Sequence, residues 1–300
     1  MIKLGFITNS MTGAGVSKIG DIARWAVKNG FQDLEIGPAV KLDEGEILKA
    51  KEETGIETNT LIYCRDFLSS NQRQADQCLN ELQQRIEFAP RIGASQIVTT
   101  TGVSPDSYKN GNFHPEASLD AFERAFTPVI DRAEALGVDI LFEICPFMGN
   151  VAISPYMWDI IFDRMKSDRL GIAYDPSHLV WQMIDPYELL RPYGQKIRHV
   201  HGKDCQIDRN TLKKTGILHM FNMASCDVKD KAVSKNLWWT YRLPGLGELN
   251  WKKIVSGLYD IGFEGTISME HEDPVWSGTE EKVKLGLVAS RKHIEQCLIS

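Results

Sequence analysis

The chain alternates eight short runs rich in apolar and β-branched residues with longer stretches of helical periodicity, from one end to the other. Strands are predicted at residues 3–8, 33–36, 57–63, 96–100, 138–143, 170–175, 197–201 and 266–270. Glycines suited to helix C-caps, such as Gly137 and Gly262, follow several of the helical stretches. Eight βα units in succession predict an α/β fold, a single (β/α)8 TIM barrel whose chemistry lies at the carboxyl ends of its strands.

Length and composition agree with one domain. The chain has 300 residues, 43% of them hydrophobic, which is enough for one full core, so residues 1–300 are expected to form a single domain. Its net charge is -6, with lysines and acidic residues interleaved, so no basic surface suits a phosphate backbone. We therefore expect no nucleic-acid partner.

The cysteines and the N-terminal residues bear on the cell compartment. Six cysteines are scattered without a CxxC pair, which is typical of reduced thiols. The first residues lack the charged and apolar regions of a signal peptide, and no run approaches the roughly 18 apolar residues of a membrane span. A cytoplasmic protein without a membrane partner is expected.

One segment, residues 205–244 between the seventh strand and its helix, is too long for an ordinary βα loop. It contains the aromatic residues Trp238, Trp239 and Tyr241, together with Lys213, Lys214, Lys229, Lys231 and Lys235. An insertion at the catalytic face commonly forms a lid or a wall for the substrate. A solvated loop anchored by its aromatic side chains is an equally good interpretation.

Four side chains of metal-binding type stand at or near the ends of the last four predicted strands: Glu143, Asp175, His201 and Glu270. The carboxyl ends of barrel strands meet at one rim, so these side chains are expected to converge. Three carboxylates and one imidazole favour a single Mn²⁺, and Mg²⁺, Co²⁺ or Zn²⁺ would also be compatible. Any one acid alone would more simply cap a helix or pair with a lysine, but four in register favour a metal site.

The alternation of side chains along a strand leaves three assignments open. Glu270 and Glu272 share a face of the last strand, and Glu270 is preferred as the ligand because it lies deeper. His201 is preferred over His199 because it lies nearer the mouth. Glu35, at the end of the second strand, would either face the pocket or cap the next helix, and the cap is slightly favoured.

The motifs FEICP, YDPSHLVWQ, HVHGKD, LPGLGELNW and ISMEHEDP all lie from residue 142 onward. In combination they resemble the xylose-isomerase-like TIM barrels, the superfamily of sugar phosphate isomerases and epimerases. The resemblance implies that the metal ligands are Glu143, Asp175, His201 and Glu270. It also implies that Glu143 and Glu270 are catalytic, because the two glutamates shuttle the proton in the ketose 3-epimerases of this superfamily.

The substrate-binding residues suggested alongside this resemblance each have a plainer alternative. His178 falls where the family places a histidine that contacts a substrate oxygen, although helix capping or packing would also explain it. Lys203 would face the substrate or pair with Asp204, and Trp181 would form a wall for a sugar ring or pack in the core. Arg242 would grip a substrate hydroxyl or carboxylate, or form a surface ion pair.

A divalent ion at this site would polarise a ketone, and a carboxylate would remove the neighbouring proton. Return of the proton gives epimerisation or isomerisation of a ketose or keto-sugar derivative, which is the function predicted first. Loss of a β-substituent would instead make a lyase, either a keto-polyol dehydratase or an enzyme of the C-glycoside deglycosidase type, with a small partner subunit. Trp239 is expected to contact the bulky glycoside of such a lyase and to be a contact residue rather than a core residue.

Two further classes fit the sequence less well. The type IV apurinic endonucleases use this barrel with three zincs and more histidine ligands, whereas this chain has only seven histidines and a net negative charge. A sugar-binding protein without activity would be expected to lose at least one of the four ligand residues, and all four are present. No glycine-rich phosphate cradle is evident. The expected assembly is a homo-oligomer or a hetero-oligomer with a small subunit.

Overall fold

The structure, a computed structural model, describes residues 1–109, 112–146, 149–217 and 237–299. Its strands are β1 (Lys3–Ile7), β2 (Asp33–Ile36), β3 (Glu57–Ile62), β4 (Gln96–Thr99), β5 (Tyr108–Lys109), β6 (Asn112–Phe113), β7 (Asp139–Glu143), β8 (Leu170–Tyr174), β9 (Ile197–Gly202), β10 (Asp204–Ile207), β11 (Trp239–Arg242) and β12 (Thr266–Met269). Within the described residues, eight parallel strands close into a barrel in the order β1-β12-β9-β8-β7-β4-β3-β2. The predicted (β/α)8 barrel is confirmed, and the ends of its strands differ from the predicted ends by at most one residue.

The helices surround the barrel and alternate with its strands. The longer ones span Ile19–Lys28, Glu44–Thr54, Gln72–Phe88, Leu119–Leu136, Pro155–Arg164, Pro176–Trp181, Trp251–Asp260 and Glu280–Glu295, and single turns occur at Asn9–Gly13, Ala89–Ile92, Pro105–Ser107 and Pro115–Ser118. Gly137 ends the helix Leu119–Leu136 at a φ of 69°, in the left-handed region that glycine adopts without strain. Among the described residues no helix is both long and apolar enough to cross a bilayer.

The core has two layers because the barrel strands are buried on both faces, as β8 is along its whole length. A small cluster on the inner faces of the strands consists of Ile7, Ile62, Cys64, Val98, Leu141 and Ala173. A much larger cluster, which includes Phe6, Phe126 and Leu258, packs the outer faces of the strands against the helices. Since apolar side chains fill the barrel, polar side chains can gather only at its rims.

The described part of the insertion is a two-stranded antiparallel ribbon at the carboxyl end of β9. A single residue, Lys203, separates β9 from β10. β10 pairs with β11, and Asp208 caps the short helix Arg209–Thr215 that follows β10. Residues 218–236, which include Cys226, Lys229, Lys231 and Lys235, lie outside the described residues. The prediction of an insertion after the seventh barrel strand is confirmed, and its described part stands at the carboxyl rim of the barrel.

Candidate metal centre and active site

Four side chains from adjacent strands come together at the carboxyl rim of the barrel, and we refer to them as the rim cluster. Glu143 is the last residue of β7, Asp175 follows β8, His201 lies near the end of β9, and Glu270 follows β12. These strands are neighbours in the barrel, so one ligand atom from each side chain lies within 4.8 Å of the other three. The structure thus brings together the four residues that the sequence singled out.

The directions of the side chains distinguish His201 from His199, and their exposure distinguishes Glu270 from Glu272. His201 Nδ1 lies 3.2 Å from Glu270 Oε2 and 3.9 Å from Asp175 Oδ2, so this nitrogen faces the cluster. His199 points away from the cluster and bonds to a carboxylate beneath it. The Glu272 side chain is 48% exposed, whereas that of Glu270 is 19% exposed. His201 and Glu270 are therefore the members of the rim cluster.

The donor atoms of the rim cluster have the chemistry of a divalent-metal site. Glu143 Oε1, Asp175 Oδ2 and His201 Nδ1 are buried. Each lies 2.9–3.2 Å from another polar group of the site, but none has a well-aligned hydrogen bond with a described residue. Because buried polar atoms are nearly always satisfied in native proteins, three such atoms in one cluster indicate a site built to receive a ligand. Three carboxylates and one imidazole suit Mn²⁺, Mg²⁺, Zn²⁺ or Co²⁺. The residues present therefore fit a divalent ion.

Glu35 lies beneath the rim cluster and bridges two histidines. Its Oε2 lies 2.8 Å from His199 Nε2, and its Oε1 lies 3.3 Å from His201 Nε2. The prediction that Glu35 caps the next helix is wrong, because Asp43 caps that helix by accepting a hydrogen bond from Glu46 N. Glu35 bonds to Nε2 of His201, so the other ring nitrogen, Nδ1, faces the cluster. Many metal-binding histidines are oriented in this way by a carboxylate on the side of the ring away from the metal.

Lys203 places a buried ammonium group against the rim cluster. Its Nζ lies 2.9 Å from Asp175 Oδ2, 2.8 Å from Glu270 Oε2 and 3.2 Å from Glu272 Oε2. Burial alone would lower the pKa of Lys203, but these carboxylates outweigh it and hold the pKa well above its ordinary value. The alternative that Lys203 pairs with Asp204 is wrong, because Asp204 accepts hydrogen bonds from backbone N–H groups instead.

His178 joins the rim cluster to the insertion. Its Nε2 lies 3.2 Å from Glu143 Oε1 and 3.2 Å from Lys203 Nζ, and its Nδ1 shares a 2.9 Å hydrogen bond with the hydroxyl of Tyr241 in β11. Burial lowers the pKa of His178 to about 3, and the charge of Lys203 adds to this effect. His178 is therefore a neutral imidazole at neutral pH, and its Nε2 faces the rim cluster rather than capping a helix.

The two glutamates of the rim cluster differ in their affinity for a proton. Burial, with the negative charge of Glu270 as the next cause, raises the pKa of Glu143 to about 7. Burial acts in the same direction on Glu270, but the positive charges of Lys203 and His201 overcome it and hold the pKa of Glu270 well below its ordinary value. Two acids with separated pKa values can divide the roles of proton acceptor and proton donor.

Two further predicted substrate residues, Trp239 and Arg242, are engaged within the protein. Trp181 and Trp239 stack at a centroid distance of 4.7 Å and an interplanar angle of 7°, and they are only 3% and 5% exposed. Trp239 therefore packs as a core residue, which corrects the expectation that it is a contact residue. Arg242 Nε pairs with the buried Asp273 at 2.8 Å, and its Nη1 donates to Gln206, so its charge is neutralised away from the cluster.

Sequence reasoning does not identify the two contacts that position histidines at the site, those of Tyr241 with His178 and of Glu35 with His199 and His201. Tyr241 was noted only as part of an aromatic segment, yet it bonds to His178. Its position two residues after Trp239 places both side chains on one face of β11, which was the available signal. For the bridging role of Glu35 no local signal exists, because His199 lies 164 residues further along the chain.

Comparison with known proteins agrees with this geometry. The family model described as the xylose isomerase-like TIM barrel matches residues 23–294. The uncharacterized protein YfiH of Bacillus subtilis is 25% identical over 98% of this chain and 100% of its own length. The inosose dehydratase of Lacticaseibacillus casei is 26% identical over 53% of this chain and 50% of its own length, so that match spans about half of each protein.

Solved structures share the fold at lower sequence identity. A D-psicose 3-epimerase from Clostridium cellulolyticum H10, solved with D-tagatose, superimposes with a TM-score of 0.71 at 15% identity and covers 100% of both chains. The IolI protein, solved with a zinc atom, gives a TM-score of 0.69 at 18% identity and covers 99% of this chain and 96% of its own. Because the family model spans most of its length, the chain belongs to the xylose isomerase-like TIM barrel family and is an enzyme of that family.

Proposed function

We propose that this protein is a divalent-metal-dependent enzyme that removes a proton next to the ketone of a ketose or keto-sugar derivative, with epimerisation or isomerisation as the outcome. The observation that carries this proposal is the convergence of the rim cluster, Glu143, Asp175, His201 and Glu270, within 4.8 Å at four adjacent strand ends. Mn²⁺ is preferred because oxygen donors predominate. When bound, the ion would polarise the ketone and stabilise the negative charge that develops on its oxygen.

The chain's own residues supply the proton transfer. Glu270 is ionised, partly exposed and close to the ammonium of Lys203, so it is suited to accept the proton from the carbon. Without a bound ion the pKa of Glu143 is raised to about 7, so Glu143 is the acid of the pair with the higher proton affinity and is suited to return a proton to the carbon. The two residues follow β12 and end β7, with β8 and β9 between them, so they can address opposite faces of one carbon. Return of the proton to the neighbouring carbon would instead give isomerisation.

A lyase is the second candidate, and the position of Lys203 favours it. In this reaction a carboxylate takes the proton next to the ketone, the freed electron pair forms a carbon–carbon double bond, and the bond to a β-oxygen breaks. The buried ammonium of Lys203 can stabilise the negative charge that develops on the leaving oxygen, which then takes its proton from solvent. The same residues would serve a dehydratase, such as the inosose dehydratase relative, and a lyase that acts on 3-oxo-glycosides.

The test uses the full-length protein, stripped with a chelator and reloaded with Mn²⁺. Ketoses and 3-oxo-glycosides are incubated with it in D₂O and followed by proton NMR. We expect the signal of the proton next to the ketone to disappear only with the reloaded protein. The product then separates the candidates, since an epimerase or isomerase gives an isomeric sugar and a lyase releases water or an alcohol.

Glu270→Gln is the matched variant, because glutamine has the size of glutamate but cannot accept the proton. Glu264→Gln, at a strongly exposed position, is the control and should exchange at the wild-type rate. The proposal fails if the Mn²⁺-loaded protein exchanges no substrate of either class, or if Glu270→Gln exchanges within tenfold of wild type.

A further inference from the structure

Lys203 is a buried lysine whose ammonium group is enclosed by acidic side chains. The residue is only 1% exposed, and lysine is almost never buried so deeply unless its charge is paired. Its Nζ lies within 3.2 Å of one oxygen each of Asp175, Glu270 and Glu272, and the ring centroid of Tyr241 lies 4.5 Å away. Three carboxylates and an aromatic face therefore compensate the ammonium for the loss of water.

Two of these carboxylates present the same oxygens to the ammonium and to the imidazole of the rim cluster. Asp175 Oδ2 lies 2.9 Å from Lys203 Nζ and 3.9 Å from His201 Nδ1. Glu270 Oε2 lies 2.8 Å from Lys203 Nζ and 3.2 Å from His201 Nδ1. A divalent ion that binds His201 together with these oxygens would therefore share them with the ammonium. Two cations on one pair of buried carboxylates repel each other strongly, since little water screens them.

The third carboxylate offers the ammonium a partner nearer to solvent. The Glu272 side chain is 48% exposed, whereas those of Asp175 and Glu270 are 0% and 19% exposed. The three carboxylates that contact the ammonium thus differ in depth, from the interior of the cluster to its mouth. An ammonium that left the two inner carboxylates would still have an anionic partner in Glu272.

The backbone of Lys203 is held in place, so its side chain is the part that can move. Lys203 is the single residue between β9, which belongs to the barrel, and β10, which pairs with β11. A lysine side chain has several staggered rotamers, and it commonly extends toward water while its stem stays buried. Exchange of the inner carboxylates for a closer contact with Glu272 therefore needs a change of rotamer and no movement of the backbone.

We infer that Lys203 competes with the divalent ion for Asp175 and Glu270, and that binding of the ion shifts the ammonium outward to Glu272. This inference rests on the proposed function, because the rim cluster must bind the ion. Lys203 is here a positioning residue with two effects. It supplies the positive charge that the buried carboxylates need when they hold no ion, and it lowers the affinity of the cluster for the ion. The metal affinity of the protein is therefore set in part by a residue that is not itself a ligand.

The first experiment measures the accessibility of the Lys203 amine in the wild-type, full-length protein. The protein is treated with acetic anhydride at pH 8, with either a chelator or excess Mn²⁺, and acetylation of each lysine is followed by peptide mass spectrometry. We expect Lys203 to react at least about fivefold faster with Mn²⁺ than with the chelator, because the ion shifts its amine toward the mouth. Lys166, whose side chain is 79% exposed, is the internal control and should react equally in both samples.

The second experiment removes the competing charge. Lys203→Met keeps a long unbranched side chain without the ammonium, and isothermal titration calorimetry of the metal-free protein measures its affinity for Mn²⁺. We expect a Kd at least about tenfold lower than that of wild type, because the ion no longer displaces a bound cation. Lys166→Met, the same substitution at an exposed position, is the control and should match wild type. An unchanged or weakened affinity in folded Lys203→Met would overturn the inference.

Thermal unfolding covers the case in which Lys203→Met does not fold without the ion. In the chelator its melting temperature should fall below that of wild type, because the buried carboxylates have lost their counter-charge, and Mn²⁺ should restore most of the difference. An equal deficit with and without Mn²⁺ would overturn the inference. If the variant folds under neither condition, the acetylation of wild type decides.

The outcomes also separate this inference from the proposed function. Absence of Mn²⁺ binding by both wild type and Lys203→Met would overturn the proposed function and the inference together. Binding of Mn²⁺ by a wild-type protein in which Lys203 stays as protected as it is with the chelator would overturn the inference alone.

Discussion

The rim cluster shares one end of the barrel with a largely apolar cavity, but the two are built from opposite kinds of interaction. We refer to this cavity as the aromatic chamber, and its apolar lining consists of Val103, Phe113, Ile153, Trp181, Ile217 and Trp238. In the rim cluster, buried charges depend on one another: Lys203 is held by Asp175 and Glu270, and His201 is held by Glu35. In the chamber, the few polar groups are satisfied by the protein and apolar side chains form the rest of the wall. The cluster should therefore tolerate almost no change of residue type, whereas the chamber should tolerate changes that preserve volume.

The difference also separates the two tasks of the site. The charged side chains at the strand ends act on the charge that develops in the transition state, so they determine the rate of the reaction. Apolar walls act through contact area and shape rather than through charge. Each prediction below tests one side of this division, from the largest expected effect to the smallest.

The largest effect is expected from the proton-carrying glutamates. Glu143→Gln and Glu270→Gln should each lower kcat by about 10²–10⁴-fold, because glutamine retains the size but cannot take up a proton. Melting temperatures close to wild type would show that the fold persists. Steady-state kinetics of the Mn²⁺-loaded variants measure the loss. A kcat within tenfold of wild type for either variant would show that this glutamate does not carry the proton. The rim cluster would then not be the sole source of reactivity in this comparison.

Trp239→Ala should act on stability rather than on chemistry. Trp239 is buried against Trp181, so its truncation should lower the free energy of unfolding by about 3–5 kcal/mol. Denaturant titration measures this change, and Val275→Ala, at an exposed position, is the control. An unchanged free energy of unfolding together with a raised KM would contradict this prediction. It would show that Trp239 contacts the substrate rather than stabilising the core.

Glu35→Gln should weaken metal binding without removing a ligand. The substitution removes the charge that holds His201 Nε2, and loss of such a partner typically costs about 10–100-fold in metal affinity. Isothermal titration calorimetry of the metal-free protein with Mn²⁺ measures the change in metal affinity. Glu57→Gln replaces an acid at the opposite end of a barrel strand and should retain the wild-type affinity. Equal affinities would show that Glu35 does not support the site.

The smallest effect is expected at the link between the insertion and the cluster. Tyr241→Phe removes only the hydroxyl that bonds His178 Nδ1, and one such bond contributes about 0.5–1.5 kcal/mol. We therefore expect a kcat/KM lowered by about two- to tenfold with unchanged Mn²⁺ affinity. Tyr156→Phe, at an exposed position, is the control and should match wild type. A loss as large as that of Glu270→Gln would assign Tyr241 to proton transfer itself.

Much of the fold and the four residues of the rim cluster could be predicted because their signals are local. A strand or helix reveals itself by the spacing of apolar residues within about ten positions, and glycines such as Gly137 mark where helices end. Once eight parallel strands are recognised, barrel closure places their carboxyl ends on one rim. Glu143, Asp175 and Glu270 follow from that rule without knowledge of any contact between them.

The partners of the cluster could not be predicted in the same way. Local rules favour a helix cap for Glu35, leave Lys203 either facing the substrate or paired with Asp204, and make Trp239 a substrate contact. In the structure, Glu35 meets a histidine 164 residues away, and Lys203 meets Glu270 across 67 residues. Such pairings depend on which strands become neighbours when the barrel closes.

The sequence by itself determined the order of strands and helices, the barrel and the set of donor residues at its rim, because periodicity and strand ends are properties of short segments. Only the tertiary structure decided which nitrogen of His201 faces the cluster, that Lys203 neutralises its carboxylates, and that an apolar chamber lies beside it. Directions of side chains and volumes of cavities are set by packing among distant segments, and packing exists only once the whole barrel has closed.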